Sequence, residues 1–257
     1  MRLGHPTPNL ASRARAAGIH LGLSAVVATV AAILVFAVWY PAPFREISGG
    51  RELFLLLVTI DVIVGPLITF AVFDRRKPPA ELARDLGVVV LLQLAALTYG
   101  MHTMAQARPA VVALEGDRLR VVRAIDLSEA DWRAAPPGLD HLSWTGPRLL
   151  AARPPATADK LDTIEKGLAG QDIGMRPELW RPPSETGPAF AAAAKPLADL
   201  VKLQPKHAPD VDSAVLTTGR PASEIGFLPI LARNTDWSAL VDRRTGEVVG
   251  YVAVEGF

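Results

Sequence analysis

The chain has 257 residues, of which half are hydrophobic and 21% are charged, and its 27 Lys and Arg nearly balance its 26 Asp and Glu. A formal net charge of +1 provides no overall positive field, so the composition argues against a nucleic-acid partner. There is no cysteine, which excludes disulfides, cysteine nucleophiles and zinc sites of the cysteine type.

The first 107 residues contain three apolar stretches that are long enough to cross a bilayer. The predicted spans are about residues 19–40, 53–73 and 86–107. At 1.5 Å per residue each reaches roughly 30 Å, the thickness of the hydrocarbon core. A cleaved signal peptide is the competing interpretation of the first span, because Arg13 and Arg15 resemble a basic leader. The stretch is too long for that, and no small-residue cleavage site follows Trp39 and Tyr40.

The short loops predict the orientation of the chain in the membrane. Residues 74–85 hold Arg75, Arg76, Lys77 and Arg84, whereas the loop between the first two spans holds only Arg45 and Arg51. The positive-inside rule therefore predicts a cytoplasmic tail over residues 1–18, a membrane domain over 19–107 and a periplasmic domain over 108–257. The expected location is a bacterial inner membrane, crossed several times.

Each predicted span carries a stripe of small and polar residues. The stripes are Gly18, Gly22, Ala25 and Thr29; Asp61, Gly65 and Thr69; and Gln93, Ala96, Gly100 and Thr103. In lipid, small residues let helices approach closely and polar residues form hydrogen bonds between them. The stripes predict a self-contained three-helix bundle, or a surface that receives the transmembrane helix of another protein. The candidate packing or partner-binding residues are Asp61, Gly65, Pro66, Thr69, Gln93 and Gly100.

Asp61 is the most unusual of these residues, since a carboxylate in hydrocarbon must find a hydrogen-bond donor or take up a proton. The groups predicted to serve it are Gln93, Thr59 or Thr69, and backbone freed by Pro66. Two interpretations stay open. Asp61 either holds the three helices together or contacts the helix of a partner.

Residues 108–257 predict a small α+β domain with too few strands for a Rossmann sheet or a barrel. The predicted strands are a hairpin at 108–122, then 148–152, 225–233, 238–242 and 247–254. The predicted helices are a turn at 126–132 capped by Ser128 and Asp131, then 158–169 and 190–203, the last interrupted at Pro196. Residues 174–188 are predicted to be irregular.

No catalytic, cofactor or metal site is predicted. Nucleotide-binding loops, a nucleophile elbow and a zinc-protease helix motif are all missing from the sequence. The five histidines show no metal-ligand spacing. Asp210 and Asp212 could be mistaken for a ligand pair, but capping or solvation of that segment explains them better. We therefore expect a protein that is not an enzyme.

Several segments together resemble one family. They are RARAAGIHLGLSAVVA, WYPAPF, GGRELFLLLVTIDVIVGPLITFAVFD, ELARDLGVVVLLQLAALTYGMHTMAQARP, VALEGDRLRVV and FLPILARNTDWSALVDRRTGEVVG. The chain resembles the type IV pilin accessory proteins of the TfpX/TfpZ type. The resemblance is strongest over residues 12–125 and loose over 134–220.

The resemblance implies a non-enzymatic inner-membrane protein that assists a cognate type IV pilin in its stability, presentation or assembly into the pilus. It would bind the transmembrane helix and the periplasmic head of that pilin. The implied partners are the pilin subunit, the lipid bilayer and the pilus assembly machinery. Three alternatives remain: an unrelated membrane assembly or sensor module, a membrane-bound enzyme, and a small proton-coupled transporter component using Asp61, Gln93 and His102.

Overall fold

The computed structural model describes residues 10–156, 165–168, 170–233 and 236–257. The chain forms two compact units. Residues 1–37 and 51–105 make up the first, which we call the helical unit, and residues 38–50 and 106–257 make up the second, which we call the sheet unit. The architecture is mixed α+β, with apolar helices towards the N-terminus and a C-terminal sheet domain.

Four helices precede the first strand. They are α1 (Leu10–Trp39), α2 (Phe44–Ile47), α3 (Gly50–Val72) and α4 (Pro79–Ala107). Helix α4 starts on Pro79, a position where the missing N–H of proline is not needed. Within α3 the turn Ile60–Val64 has π-helical geometry, and Pro66 lies two residues beyond its end. A proline inside a helix removes one backbone donor, so the widened turn occurs where the regular ladder is interrupted.

Two helices of the described residues are long and apolar enough to cross a membrane, α1 and α3. Helix α4 is not one of these two, so the prediction of three transmembrane helices is not supported. The apolar stretch of α4 contains Gln93, Tyr99 and His102, and its first turns are charged. These polar side chains lower the hydropathy of α4 relative to the other two helices.

The sheet unit contains one mixed sheet, with seven strands among the described residues. These are β1 (Pro109–Glu115), β2 (Arg118–Arg123), β3 (Arg148–Ala151), β4 (Lys195–Pro196), β5 (Ile225–Leu231), β6 (Ser238–Asp242) and β7 (Val248–Val252). The order is β3-β1-β2-β5-β6-β7, with β4 paired to β5. Strand β1 is antiparallel to β2 and parallel to β3, and β2 is parallel to β5. The predicted N-terminal hairpin and the C-terminal strands are confirmed.

Both faces of the sheet are covered. In β1 the alternating residues Val112 and Leu114 enter one core cluster, and Val111 and Ala113 enter another. The helices that cover these faces include α5 (Glu129–Arg133), α6 (Thr186–Ala193), α7 (Leu197–Leu203) and α8 (Ala208–Thr218). Burial on both faces explains why β1 and β5 are nearly continuous apolar runs.

The segment between α1 and α3 is part of the sheet unit. In α2, Phe44 is 6% exposed and Ile47 is fully buried, and both belong to the core cluster that contains Leu114 and Leu228. The Phe44 ring packs edge-on against Tyr251 of β7, with 5.6 Å between ring centroids. A ten-residue loop that the sequence presents as a simple connection between two spans is therefore an element of the sheet-domain core.

The capped turn predicted near residue 128 is confirmed. The Ser128 hydroxyl accepts from the Asp131 N–H at 3.2 Å, and the Asp131 carboxylate accepts from the Ser128 N–H at 2.7 Å. This reciprocal pair satisfies two backbone donors at the start of α5.

The segment 190–203, predicted as a helix interrupted at Pro196, forms two helices, α6 and α7, separated by β4. Pro196 causes the break, because proline favours an extended residue before it and cannot donate a helical hydrogen bond. Helix α8 was missed by the sequence analysis. Of the predicted helix at 158–169, residues 165–168 are helical and the others lie outside the described residues.

Candidate partner-binding site in the helical unit

Helices α1, α3 and α4 surround an apolar cavity of about 420 Å³ in the helical unit. Most of its lining is Leu, Val, Ile and Ala, and its polar lining residues are His20, Ser24, Asp61, Thr69 and Gln93. A second cavity of about 240 Å³ lies between α3 and α4, and Asp61 also lines it. Ligand-binding sites in proteins commonly have this form, an apolar concave lining with a few polar groups.

Thr69 joins α3 to α1. It is 4% exposed, and its hydroxyl lies 2.5 Å from Nδ1 of His20 on α1. A hydrogen bond between helices in lipid contributes on the order of 1 kcal/mol. His20 is not among the predicted site residues, although a histidine inside an apolar span was a usable signal.

Gly65 allows Gln93 of α4 to reach α3. A side chain on residue 65 would overlap the Gln93 amide, whose Cδ lies 2.6 Å from the position of an added Cβ. The Gln93 Nε2 donates to the backbone carbonyl of Asp61 at 3.0 Å. In π-helical geometry that carbonyl would accept from residue 66, and Pro66 has no N–H to give. Gln93 therefore replaces the donor that Pro66 lacks.

Gly100 of α4 likewise leaves room for a side chain of α3. An added Cβ there would overlap the side chain of Leu57 on α3. The two glycines are thus required where α3 and α4 meet. The predicted glycine stripe on α1 differs, since a Cβ on Gly18 or Gly22 would meet nothing within 4 Å. In the helical unit this small-residue surface of α1 is open.

The Asp61 carboxylate receives none of the hydrogen bonds expected for it from the sequence. Gln93 donates to the Asp61 backbone instead, and Thr59 donates to the carbonyl of Leu55 at 2.8 Å. Thr69 is paired with His20. The group freed by Pro66 is a carbonyl, which accepts and cannot donate. Within the described part of the chain, Oδ1 of Asp61 is buried and accepts no hydrogen bond.

The structure thus brings the six predicted site residues into the contact region of α3. Asp61, Thr69 and Gln93 line the larger cavity, and Gly100 lines the smaller one. Gly65 and Pro66 are buried in α3. An unsatisfied buried oxygen costs about 1–3 kcal/mol, so a donor supplied by another molecule would be stabilised at Asp61.

Charge pairs hold the loop between α3 and α4. Arg76 donates to Asp74 through its side chain at 2.8 Å and its backbone N–H at 3.0 Å, and these bonds hold the pKa of that carboxyl well below its usual range. Lys77 donates to Asp85 at 2.6 Å and lowers the pKa of Asp85 in the same way. Arg13 near the start of α1 lies 3.6 Å from Asp74. Ionised groups therefore concentrate at this end of the helical unit.

Comparison with known proteins shows the family. The family model of the fimbrial assembly protein FimB matches residues 8–49. Two fimbrial assembly proteins of Dichelobacter nodosus, of serogroups I and E1, are each 36% identical over 233 residues, which cover 90% of this chain and 91% of each relative. The chain belongs to the fimbrial assembly protein family. Its members from serogroups C1 and C2 are 40% identical to it over 114 residues, 44% of this chain and 87% of theirs.

The matched residues 8–49 of this fimbrial assembly protein comprise α1 and the segment with α2 that enters the sheet-unit core. No solved structure matches the chain significantly. The longer alignments run through both units, so the family likeness is not confined to the apolar helices.

Proposed function

We propose that this fimbrial assembly protein is an inner-membrane accessory protein of the TfpX/TfpZ type that assists a cognate type IV pilin. It binds the transmembrane helix of the pilin in the groove of the helical unit and meets the periplasmic head with the sheet unit. The observation that carries the proposal is the buried, unsatisfied Asp61 Oδ1 beside an apolar cavity. Family membership supports a role in fimbrial biogenesis.

The position of the α2 segment supports three membrane crossings. If α1 and α3 cross the bilayer, residues 38–50 lie on one side and residues 73–78 on the other. The sheet unit contains residues 38–50 together with residues 106–257, so the chain must return across the membrane between them. Helix α4 has 29 residues and reaches about 43 Å, which is enough for that crossing. Of its polar residues, Gln93 faces α3 and donates a hydrogen bond to it, as expected of a polar residue in a span.

The loop charges support a periplasmic location of the sheet unit. The loop of residues 73–85 holds four basic residues, against Arg45 and Arg51 near the α2 segment. We expect a fusion after Asp74 to be active with a cytoplasm-active reporter and inactive with a periplasm-active one. A fusion at Phe257 should show the opposite pattern. A silent periplasmic reporter at Phe257 would contradict the charge argument.

Deleting the protein should reduce surface pili or pilin levels strongly and leave growth unchanged, because its proposed substrate is a pilin and not a metabolite. Electron microscopy of cells and immunoblots of pilin measure this, and the intact gene on a plasmid is the control. Crosslinking in intact membranes should capture the pilin. Normal piliation together with normal pilin levels in the deletion strain would overturn the proposal.

A proton-coupled transporter component is less well supported. Asp61 and Gln93 line the larger cavity, whereas His102 lines a separate surface formed by α4 alone. The described residues therefore do not place Asp61, Gln93 and His102 along one path, as proton transfer between them would require.

A further inference from the structure

Two exposed apolar residues of the sheet unit, Ile125 and Trp144, each follow a residue that is hydrogen-bonded to Arg108. Arg108 directly follows α4. The carbonyl of Arg108 accepts from the Ala124 N–H at 3.0 Å, and the neighbouring Ile125 is 61% exposed. The Arg108 Nη2 donates to the carbonyl of Ser143 at 3.1 Å, and the neighbouring Trp144 is 78% exposed. An exposed tryptophan is uncommon on a water-soluble surface, since it leaves a large apolar ring in water.

The loop that carries Trp144 also contacts the end of α1. A Cβ added to Gly146 would lie 2.7 Å from Cδ of Pro41, two residues beyond α1. The guanidinium carbon of Arg108 lies 5.7 Å from the ring centroid of Trp39. Within the sheet unit, the exits of two apolar helices therefore meet beside this loop. Any membrane that α1 crosses has its surface at this level.

We propose that Ile125 and Trp144 form a membrane-contacting patch that holds this end of the sheet unit against the lipid headgroups. Tryptophan suits that position because its amphipathic ring prefers the interface between water and hydrocarbon. The residues that contact the two patch segments, Arg108 and Pro41, directly follow or closely follow α4 and α1, so lipid is the occupant nearest to the patch. The inference rests on the membrane placement of α1 under the proposed function, and adds a second, non-spanning contact with the bilayer.

The absence of cysteine from the chain makes a direct test possible. Three full-length variants, Trp144→Cys, Asp117→Cys and Val30→Cys, each carry one thiol for an environment-sensitive fluorophore. Asp117 lies in the β1–β2 turn with its side chain 71% exposed, about 20 Å along β1 from Arg108. Val30 is 63% exposed near the middle of the predicted first span. The labelled proteins are reconstituted in phosphatidylethanolamine–phosphatidylglycerol vesicles containing lipids with a headgroup or mid-chain nitroxide quencher.

We expect headgroup nitroxides to quench the label at residue 144 at least about three-fold more than the label at residue 117. Mid-chain nitroxides should quench the label at residue 30 more than either of the other two. Equal, weak quenching at 144 and 117 with strong quenching at 30 would overturn the patch and leave the proposed function standing. Weak quenching at 30 would remove the membrane placement on which both depend. If the label at residue 144 enters an apolar environment only after pilin is added, the patch binds protein, and this result would also overturn the inference.

Discussion

Replacing Asp61 with leucine should lower crosslinking of this protein to pilin by about tenfold and leave its own abundance near the wild-type level. The reason is that Oδ1 of Asp61 accepts no hydrogen bond among the described residues, so under the proposed function its loss removes a bond to the partner and no bond between these helices. A hydrogen bond to a charged group contributes about 1.5–3 kcal/mol, and 1.4 kcal/mol corresponds to a tenfold change in affinity. Quantitative crosslinking in membranes and pilus counts on cells measure the effect.

Two further variants separate the interpretations of Asp61. Asp61→Asn keeps hydrogen-bonding capacity and removes the charge, so it should give an intermediate loss of crosslinking. Thr59→Val is the matched control. Thr59 lies on the same helix, and among the described residues its hydroxyl bonds only to the backbone carbonyl of Leu55 on that helix. If Asp61 instead holds the bundle together, Asp61→Leu will reduce protein abundance and Asp61→Asn will be nearly silent. Wild-type abundance with wild-type piliation in Asp61→Leu would contradict both.

Replacing Phe44 with alanine should lower the free energy of unfolding of the sheet unit by about 3–5 kcal/mol, the usual cost of removing a buried phenylalanine. The ring is 6% exposed and packs against Tyr251, so its loss leaves a cavity beside β7. For a unit of this size the melting temperature should fall by roughly 10 °C. Thermal unfolding of the full-length protein in detergent, followed by circular dichroism and protease sensitivity, measures the change.

Arg45→Ala is the control for this experiment. Arg45 is the next residue in α2, with its side chain 47% exposed and paired to Glu46 at 2.9 Å, so its loss should cost less than about 1 kcal/mol. Equal effects of the two substitutions would show that α2 is peripheral to the core. A large effect of Phe44→Ala alone would establish that the connection between α1 and α3 is structural.

The candidate site illustrates how far local pattern extends. Asp61, Gly65 and Thr69 could be selected from the sequence, because small and polar residues at helical spacing stand out in an apolar span. Their hydrogen-bonding partners could not be predicted from the sequence. Gln93 reaches the backbone of Asp61 only because Gly65 has no side chain and Pro66 leaves a carbonyl free. That arrangement depends on how α3 and α4 approach each other, which no single stretch of sequence encodes.

The sheet unit also contains both elements that were predicted from the sequence and an element that was not. Strands β5, β6 and β7, the N-terminal hairpin and the Ser128 cap follow from alternation, turn residues and capping chemistry, all of which act over a few neighbours. Helix α8 carried comparable signals, Pro209 near its start and Gly219 in the left-handed conformation after its end. Those signals could have revealed it.

The sequence by itself determined the apolar helices, the α+β character of the C-terminal region and the residue types of the candidate site in the helical unit, since hydrophobicity and helical spacing are local properties. Only the tertiary structure decided that α2 belongs to the sheet-domain core, that β2 pairs in parallel with β5, and that the Asp61 carboxylate is left without a donor among the described residues. These features arise from contacts between residues far apart in the chain, where burial and hydrogen-bond satisfaction of the whole unit outweigh local preference.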